Sequence, residues 1–245
     1  MNKHTNRVVW LVLFCFGIQL IGADHIVFET VTPAHEIMGQ QRPETKSKTH
    51  LWLDGTKAVS ENSAQKTIID FEKGVANFIL HGAQAYVPMK MPIDFWSYLP
   101  DMVREMSEKM KPTVSVVATE ETKEILGTTC KVYELTFASS LTTMTSKVYA
   151  TEKPPFDYSN FANQFEDAFN SLKFPMLDRE GLDKVKEVKG FIMGLEMTMD
   201  LMGTAMTSST YVTSIAKEDL PKDAFVIPAD YKEYEKLPQA AMGQR

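Results

Sequence analysis

The sequence predicts an α+β fold, with one large meandering antiparallel sheet and two amphipathic helices laid against it. Three observations carry this expectation. Strand-like blocks follow one another, separated by turn signals. Two short segments repeat apolar residues at helical spacing, and one eleven-residue run from Phe191 to Leu201 alternates apolar and polar side chains.

At the N-terminus, Lys3 and Arg7 precede an apolar run from Val8 to Ile21, followed by Gly22, Ala23 and Asp24. These are the charged, apolar and small-residue regions of a secretory signal peptide, so residues 1–23 are expected to be removed after Ala23. Fourteen residues reach only about 21 Å as a helix, short of the roughly 30 Å that an uncleaved anchor must span. Phe14 before Cys15 is too bulky for a lipoprotein processing site. The chain is therefore expected to be exported, periplasmic or secreted, without a lipid anchor.

The ribbons come next. The stretch from Thr45 to Asn62 turns at Asp54-Gly55, the strongest short hairpin signal. A second ribbon starts at Thr67, turns at Glu72-Lys73-Gly74 and returns through Phe78 and Tyr86 to Met91. Further strands are expected at 113–121, 128–137, 144–151, 188–202 and 208–216. In the clearest of them Phe191, Met193, Leu195, Met197, Met199 and Leu201 alternate with Gly194, Glu196, Thr198 and Asp200. Period-2 geometry then gives the sheet one greasy face and one wet face.

Two helical inserts interrupt the strands. Between Pro92 and Pro112, Pro100 suits a first helical position, and Met102, Val103, Met106 and Met110 recur at helical spacing. Over 159–172, Phe161, Phe165, Phe169 and Leu172 form a second stripe, with Asp157 or Ser159 to cap it and Pro175 to stop it. Residues 24–237 read as a single domain, and the polar residues 238–245 as a mobile tail.

Composition narrows the function. The 245 residues are 44% hydrophobic and 24% charged, enough for a core without staples. The net charge of −6 has no Lys/Arg run that could track phosphates, so nucleic acid is not an expected partner. Signal removal takes Lys3, Arg7 and Cys15, leaving 24 basic against 32 acidic residues, a net charge of −8 and one thiol, Cys130. An internal disulfide is then impossible.

Catalytic patterns do not emerge. His25, His35, His50 and His81 show no paired-ligand spacing, and no nucleophile elbow, phosphate loop or C-x-x-C occurs. Cys130 lies in an alternating strand and reads as a buried, inert thiol. The expectation is a non-enzyme with no cofactor and no metal. One metal site is conceivable: cleavage after Gly22 would leave Ala23-Asp24-His25 as a free terminus with four nitrogens for Cu(II) or Ni(II). Cleavage after Ala23 removes it.

The 15 methionines admit two readings. Methionine makes an apolar surface adaptable, so Met102, Met106, Met110, Phe161, Phe165 and Phe169 could join the six alternating strand residues in lining a hydrophobic-ligand site. Equally, the same stripes could form a closed core, leaving a structural or partner-binding envelope protein.

A family resemblance rests on particular segments: Thr67-Ile-Ile-Asp-Phe-Glu-Lys; Ala85-Tyr-Val-Pro-Met; 124–133; Ser146-Lys-Val-Tyr-Ala-Thr; Val212-Thr-Ser-Ile-Ala; and Phe225-Val-Ile-Pro-Ala-Asp-Tyr. With the signal peptide and the order of ribbons and helices, the chain resembles the bacterial envelope superfamily of LolA, LppX and RseB, and most closely an exported branch of it. The resemblance implies a strongly curved antiparallel half-barrel covered by helices. It also implies lipid or lipoprotein acyl chains as ligands, with a transient envelope protein partner, but assigns no individual functional residue.

Overall fold

The structure, a computed structural model, describes residues 22–37, 39–109, 111–139, 142–157, 168, 170–171, 174, 177–201 and 204–238. The fold is built on β1 (Ala23–Thr32), a strand that the turn signals do not announce because no hairpin partner follows it. On one side β1 pairs with β4 (Thr45–Asp54), which opens a meander through β5 (Lys57–Glu61), β6 (Gln65–Asp70), β7 (Val75–Leu80) and β8 (Ala85–Lys90). On the other side it pairs with β13 (Thr204–Glu218), the end of a second meander. That meander comprises β9 (Thr113–Ile125), β10 (Thr128–Ala138), β11 (Thr143–Thr151) and β12 (Phe191–Leu201) before β13. Strand β14 (Lys232–Glu233) adds parallel to β8 and makes the twelve-stranded sheet mixed, while β2 (His35–Ile37) and β3 (Gln40–Arg42) form a separate hairpin.

The expected hairpins form where the turn chemistry places them. Gly55 and Gly74 both adopt positive φ, the conformation that glycine alone adopts without steric cost. The expected first helix is shorter than its insert: a 3-10 turn at Phe95–Tyr98 leads into α1 (Asp101–Lys109), and the Pro100 carbonyl accepts the first helical bond from Arg104 N. The second expected helix lies mostly outside the described residues, of which Ala168, Asn170 and Ser171 are helical. Helix α2 (Arg179–Val185) is an element the sequence reading lacks. The Asp178 carboxylate caps it by accepting from Gly181 N at 2.9 Å.

The α+β half-barrel covered by helices is therefore overturned. The fold is mostly β, 56% strand against 11% helix, and its large mixed sheet is not closed. Among the described residues none of the helices is long and apolar enough to cross a membrane. The physical reason lies in how the sheet buries its faces. Three apolar clusters cover it, and among the described residues much of the covering comes from segments outside α-helices.

The first cluster joins Ile26, Phe28, Leu51, Leu53, Ile69, Phe78, Val87 and Met89 to Cys130, Val132, Tyr149, Phe191 and Met193. The segment Ile93 to Leu99, Ala168 and Leu237 pack over it. The third cluster uses the opposite side chains of the first meander, Trp52, Val59, Ile68 and Ile79, beneath Ala224, Leu220, Phe225 and Ile227. Both faces of that half of the sheet are thus apolar, so the expectation of one greasy and one wet face fails there. The second cluster, Tyr133, Leu135, Phe137, Val148, Ile192 and Leu195, is covered by Leu182 and Val185 of α2 with Phe174, Leu177 and Val188.

Bulges set which strand residues enter which cluster. Between β11 and β12, Tyr149 pairs with Gly194 but Ala150 pairs with Ile192, leaving Met193 as an extra residue. A one-residue insertion reverses the face of everything beyond it. Hence Phe191 and Met193 join the first cluster, Leu195 joins the second, and Met197 packs on the second. The six alternating residues do not share a face. In β10 ordinary alternation is kept, with Cys130 and Val132 in the first cluster and Tyr133, Leu135 and Phe137 in the second, because the extra residues at the Lys131/Tyr133 register shift lie on β9.

Candidate functional site

The segment Ile93 to Leu99, which packs over the first cluster, is held at its ends by polar tethers. Tyr98 OH accepts from Lys90 N at 3.0 Å, and Leu237 N donates to Tyr98 O at 2.8 Å. Ser171 Oγ donates to Ile93 O at 3.2 Å, and Lys236 forms a 2.7 Å ion pair with Asp101. Two aromatic rings are pressed inward between these tethers. Phe95 meets Phe78 edge-on at 5.6 Å between centroids, and Trp96 is 8% exposed.

Among the described residues the Trp96 indole N–H has no acceptor. Buried donors in native proteins are almost always paired, and an orphan costs about 1–3 kcal/mol. This donor sits within a cluster that also contains Met89, Met193, Phe71 and Phe191. A single hydrogen-bond acceptor placed beside the ring would satisfy this donor.

A polar group adjoins the same cluster. Lys123 Nζ lies 4.4 Å from the ring centroids of both Tyr149 and Tyr211, donates to Tyr211 OH at 2.5 Å and forms a 3.2 Å ion pair with Glu196. Tyr211 OH also donates to the Glu196 carboxylate. Burial, followed by the bond to Glu196, pushes the Tyr211 phenol up to about 12 and holds the Tyr149 proton higher still. The Tyr211 hydrogen bond in turn keeps Glu196 below the usual carboxylate range. At neutral pH the group is one cation, one carboxylate and two neutral phenols.

The sequence-derived site residues are only partly brought together. Phe191 and Met193 lie in the first cluster. Leu195 and Met197 lie at the second, and Met102 points to solvent at 63% exposure because the first turn of α1 directs Val103 inward instead. Met199 is half-buried opposite Met144 and Met206. Met110, Phe161, Phe165 and Phe169 lie outside the described residues, as do the side chains of Met106 and Leu201. What sequence reasoning missed is Trp96, whose only signal was an aromatic residue in a Pro-flanked insert.

Strand pairing also assembles histidines that are far apart in sequence. His25 Nδ1 lies 2.7 Å from Glu218 Oε2 and its Nε2 lies 3.0 Å from His50 Nδ1, while its ring stacks on Trp52 at 4.6 Å. Glu61, opposite His50 in the register, contacts Lys66 at 3.6 Å and His81 at 3.7 Å. Among the described residues no group of three or more His, Cys, Asp or Glu could hold a metal. The N-terminal Cu(II) or Ni(II) idea also loses its geometry, because Asp24 and His25 are paired in the sheet between β4 and β13 and the ring faces Glu218.

The histidine pair has a pH consequence. Burial, then the neighbouring His25 and Lys48, lowers the His50 pKa, against the opposing pull of Glu61 and Glu218. The unfolded chain therefore takes up a proton near pH 6.5 that the folded chain still refuses, so stability falls as the pH drops below that value. Urea midpoints are expected to decrease between about pH 7.5 and about pH 5.5, with a smaller decrease in His50→Gln.

An open cleft of about 680 Å³ occurs elsewhere, at the β9–β10 register shift, lined by Lys131, Lys153, Lys189, Glu120, Glu121 and threonines. It is polar and separate from the Trp96 cluster. Cys130 is fully buried, and burial pushes its thiol pKa up, the opposite of what an activated nucleophile needs. No protein-family model and no curated protein matches the chain.

Proposed function

We propose that the chain is an exported, non-enzymatic binding protein whose ligand is an apolar molecule with a hydrogen-bond-accepting end, such as an acyl chain. The ligand is received beneath the Ile93 to Leu99 cover, against the Met- and Phe-containing first cluster. The orphaned Trp96 N–H carries this reading: a carboxyl or ester oxygen placed there ends the penalty, and each methylene buried alongside contributes about 0.8 kcal/mol. Removal of the leader and delivery to the periplasm or the exterior belong to the same proposal.

The test is native mass spectrometry and lipid extraction of protein purified from the envelope, together with titration of a fluorescent fatty acid. Trp96→Phe keeps an aromatic ring but removes the donor, and is expected to weaken the fatty acid about tenfold, the worth of one hydrogen bond in a dry site. Protein that carries no lipid and does not bind the probe would sink the proposal. The full burial of Ile26, Leu51 and Leu99 favours a second reading, a partner-binding envelope protein with a closed core. That reading expects Trp96→Phe to change stability alone.

A further inference from the structure

The twelve-stranded sheet ends at β9, which bonds to β10 on one side only. Among the described residues no strand pairs with the outward edge of β9. The far edge is different, because β14 is added there along β8. An unpaired edge is normally defended by charge, proline or a bulge. On β9 the defence covers only the C-terminal half, where Glu120, Glu121, Lys123 and Glu124 cluster and the register against β10 shifts between Ala118 and Thr122. The half from Thr113 to Ala118, Thr-Val-Ser-Val-Val-Ala, has no charge, no proline and no glycine. Val114 and Val116 pack toward the second cluster, but Val117, on the opposite face, is 56% exposed.

We propose that this edge is an interface: β9 pairs antiparallel with β9 of a second copy, in the register that places Val117 opposite its twin. The exposed Val117 sets the centre of the register, and the charge pattern is compatible with it. Centred on Val117, Val116 meets Ala118, Ser115 meets Thr119, Val114 meets Glu120 and Thr113 meets Glu121, so no carboxylate faces another. Moving the two-fold axis to Glu120 or Glu121 would set acid against acid, on copies that are already net negative. The bulge beyond Ala118 then keeps the regular pairing short, centred on Val117. A two-fold edge pairing is self-complementary and closes after two copies, so it gives a dimer and not a fibre. On one face it pairs the two Val117 side chains, and on the other it continues the second cluster through Val116 and Ala118. This interface is independent of the ligand reading.

Sedimentation equilibrium of the chain expressed from its full sequence is expected to show a concentration-dependent dimer. Val117→Cys in a Cys15→Ser background tests the register, because a two-fold axis at this position brings the new thiols within disulfide range, while the buried Cys130 does not compete. Oxidation should yield a cross-linked dimer from Val117→Cys and not from Thr122→Cys, which the same register sets opposite Pro112. Val117→Lys should raise the dimer dissociation constant by at least about tenfold without altering the monomer's urea midpoint. A monomer at every concentration, or equal cross-linking from both cysteine variants, overturns the proposal. So does capture of an extended segment of a different protein on a chain that remains monomeric.

Discussion

Gly190→Ala is expected to be the most damaging single methyl group in the molecule, costing roughly 3–5 kcal/mol. Gly190 has φ +89°, a conformation that an alanine side chain strains against. A Cβ there would also lie 2.2 Å from the Thr151 carbonyl oxygen and 2.4 Å from its carbon, both backbone atoms that cannot rotate away. The close approach has a structural purpose. Val188 is buried in the second cluster and Phe191 in the first, so the chain must change faces within three residues, hard against the end of β11. Forcing it outward uncouples Phe191 from Phe28 and from Phe156, rings that it meets at 6.1 and 4.9 Å. For a domain whose total stability is about 5–15 kcal/mol, such a loss consumes a large part of the reserve. Gly127→Ala is the internal comparison. Its φ is also positive, at +71°, but its Cβ would meet nothing within 4 Å, so it should lose only about 1 kcal/mol. Urea denaturation of the two variants separates crowding from backbone conformation. Equal losses would show that the contact with Thr151 does not matter.

The same region shows how far the sequence could be read. The hairpins at Gly55 and Gly74 were legible because a turn is a local event, determined by residues that touch one another. The strands of both meanders were legible for the same reason. Strand β1 was not, because Ile26 and Phe28 find their partners Leu51 and Val212 across the sheet, and no turn announces a pairing so distant in sequence. The alternation of Phe191 to Leu201 was legible as a strand but misleading as a face, since the insertion at Met193 has no composition of its own. Helical cover was inferred from stripes, yet irregular segments cover much of the sheet, and irregular backbone has no period to detect. Of the candidate site, Phe191 and Met193 were readable from sequence. The orphaned donor of Trp96 was not, because a missing hydrogen bond is a property of its surroundings.

Gly194→Ala tests whether the Lys123 group is built around an absent side chain. The backbone of Gly194 is ordinary for a strand, where glycine is normally a poor choice and alanine a mild improvement. Its Cβ would nevertheless lie 2.6 and 2.7 Å from two carbons of the Tyr211 ring and 3.1 Å from Tyr149. The two rings stack at 5.8 Å over this position, and Tyr211 is fixed by Glu196 and Lys123, so it cannot swing aside without breaking both contacts. The expected cost is about 2–3 kcal/mol, an overpacking penalty joined to the loss of a charged hydrogen bond. The same substitution in a Tyr211→Ala background, where no ring obstructs the Cβ, should be neutral or slightly stabilising. That change of sign is a coupling that only direct contact produces. Alkaline titration supplies a second readout. A phenol held up to about 12 in the fold but ionising near 10 when released favours the folded chain below pH 10, an advantage lost as the pH rises from 10 to about 12. Displacing Tyr211 from Glu196 should therefore bring its absorbance transition down toward 10 and narrow that alkaline window. If Gly194→Ala leaves both the urea midpoint and the phenol titration unchanged, the ring is free to move, and the Lys123 group is a surface contact instead of a built part of the site.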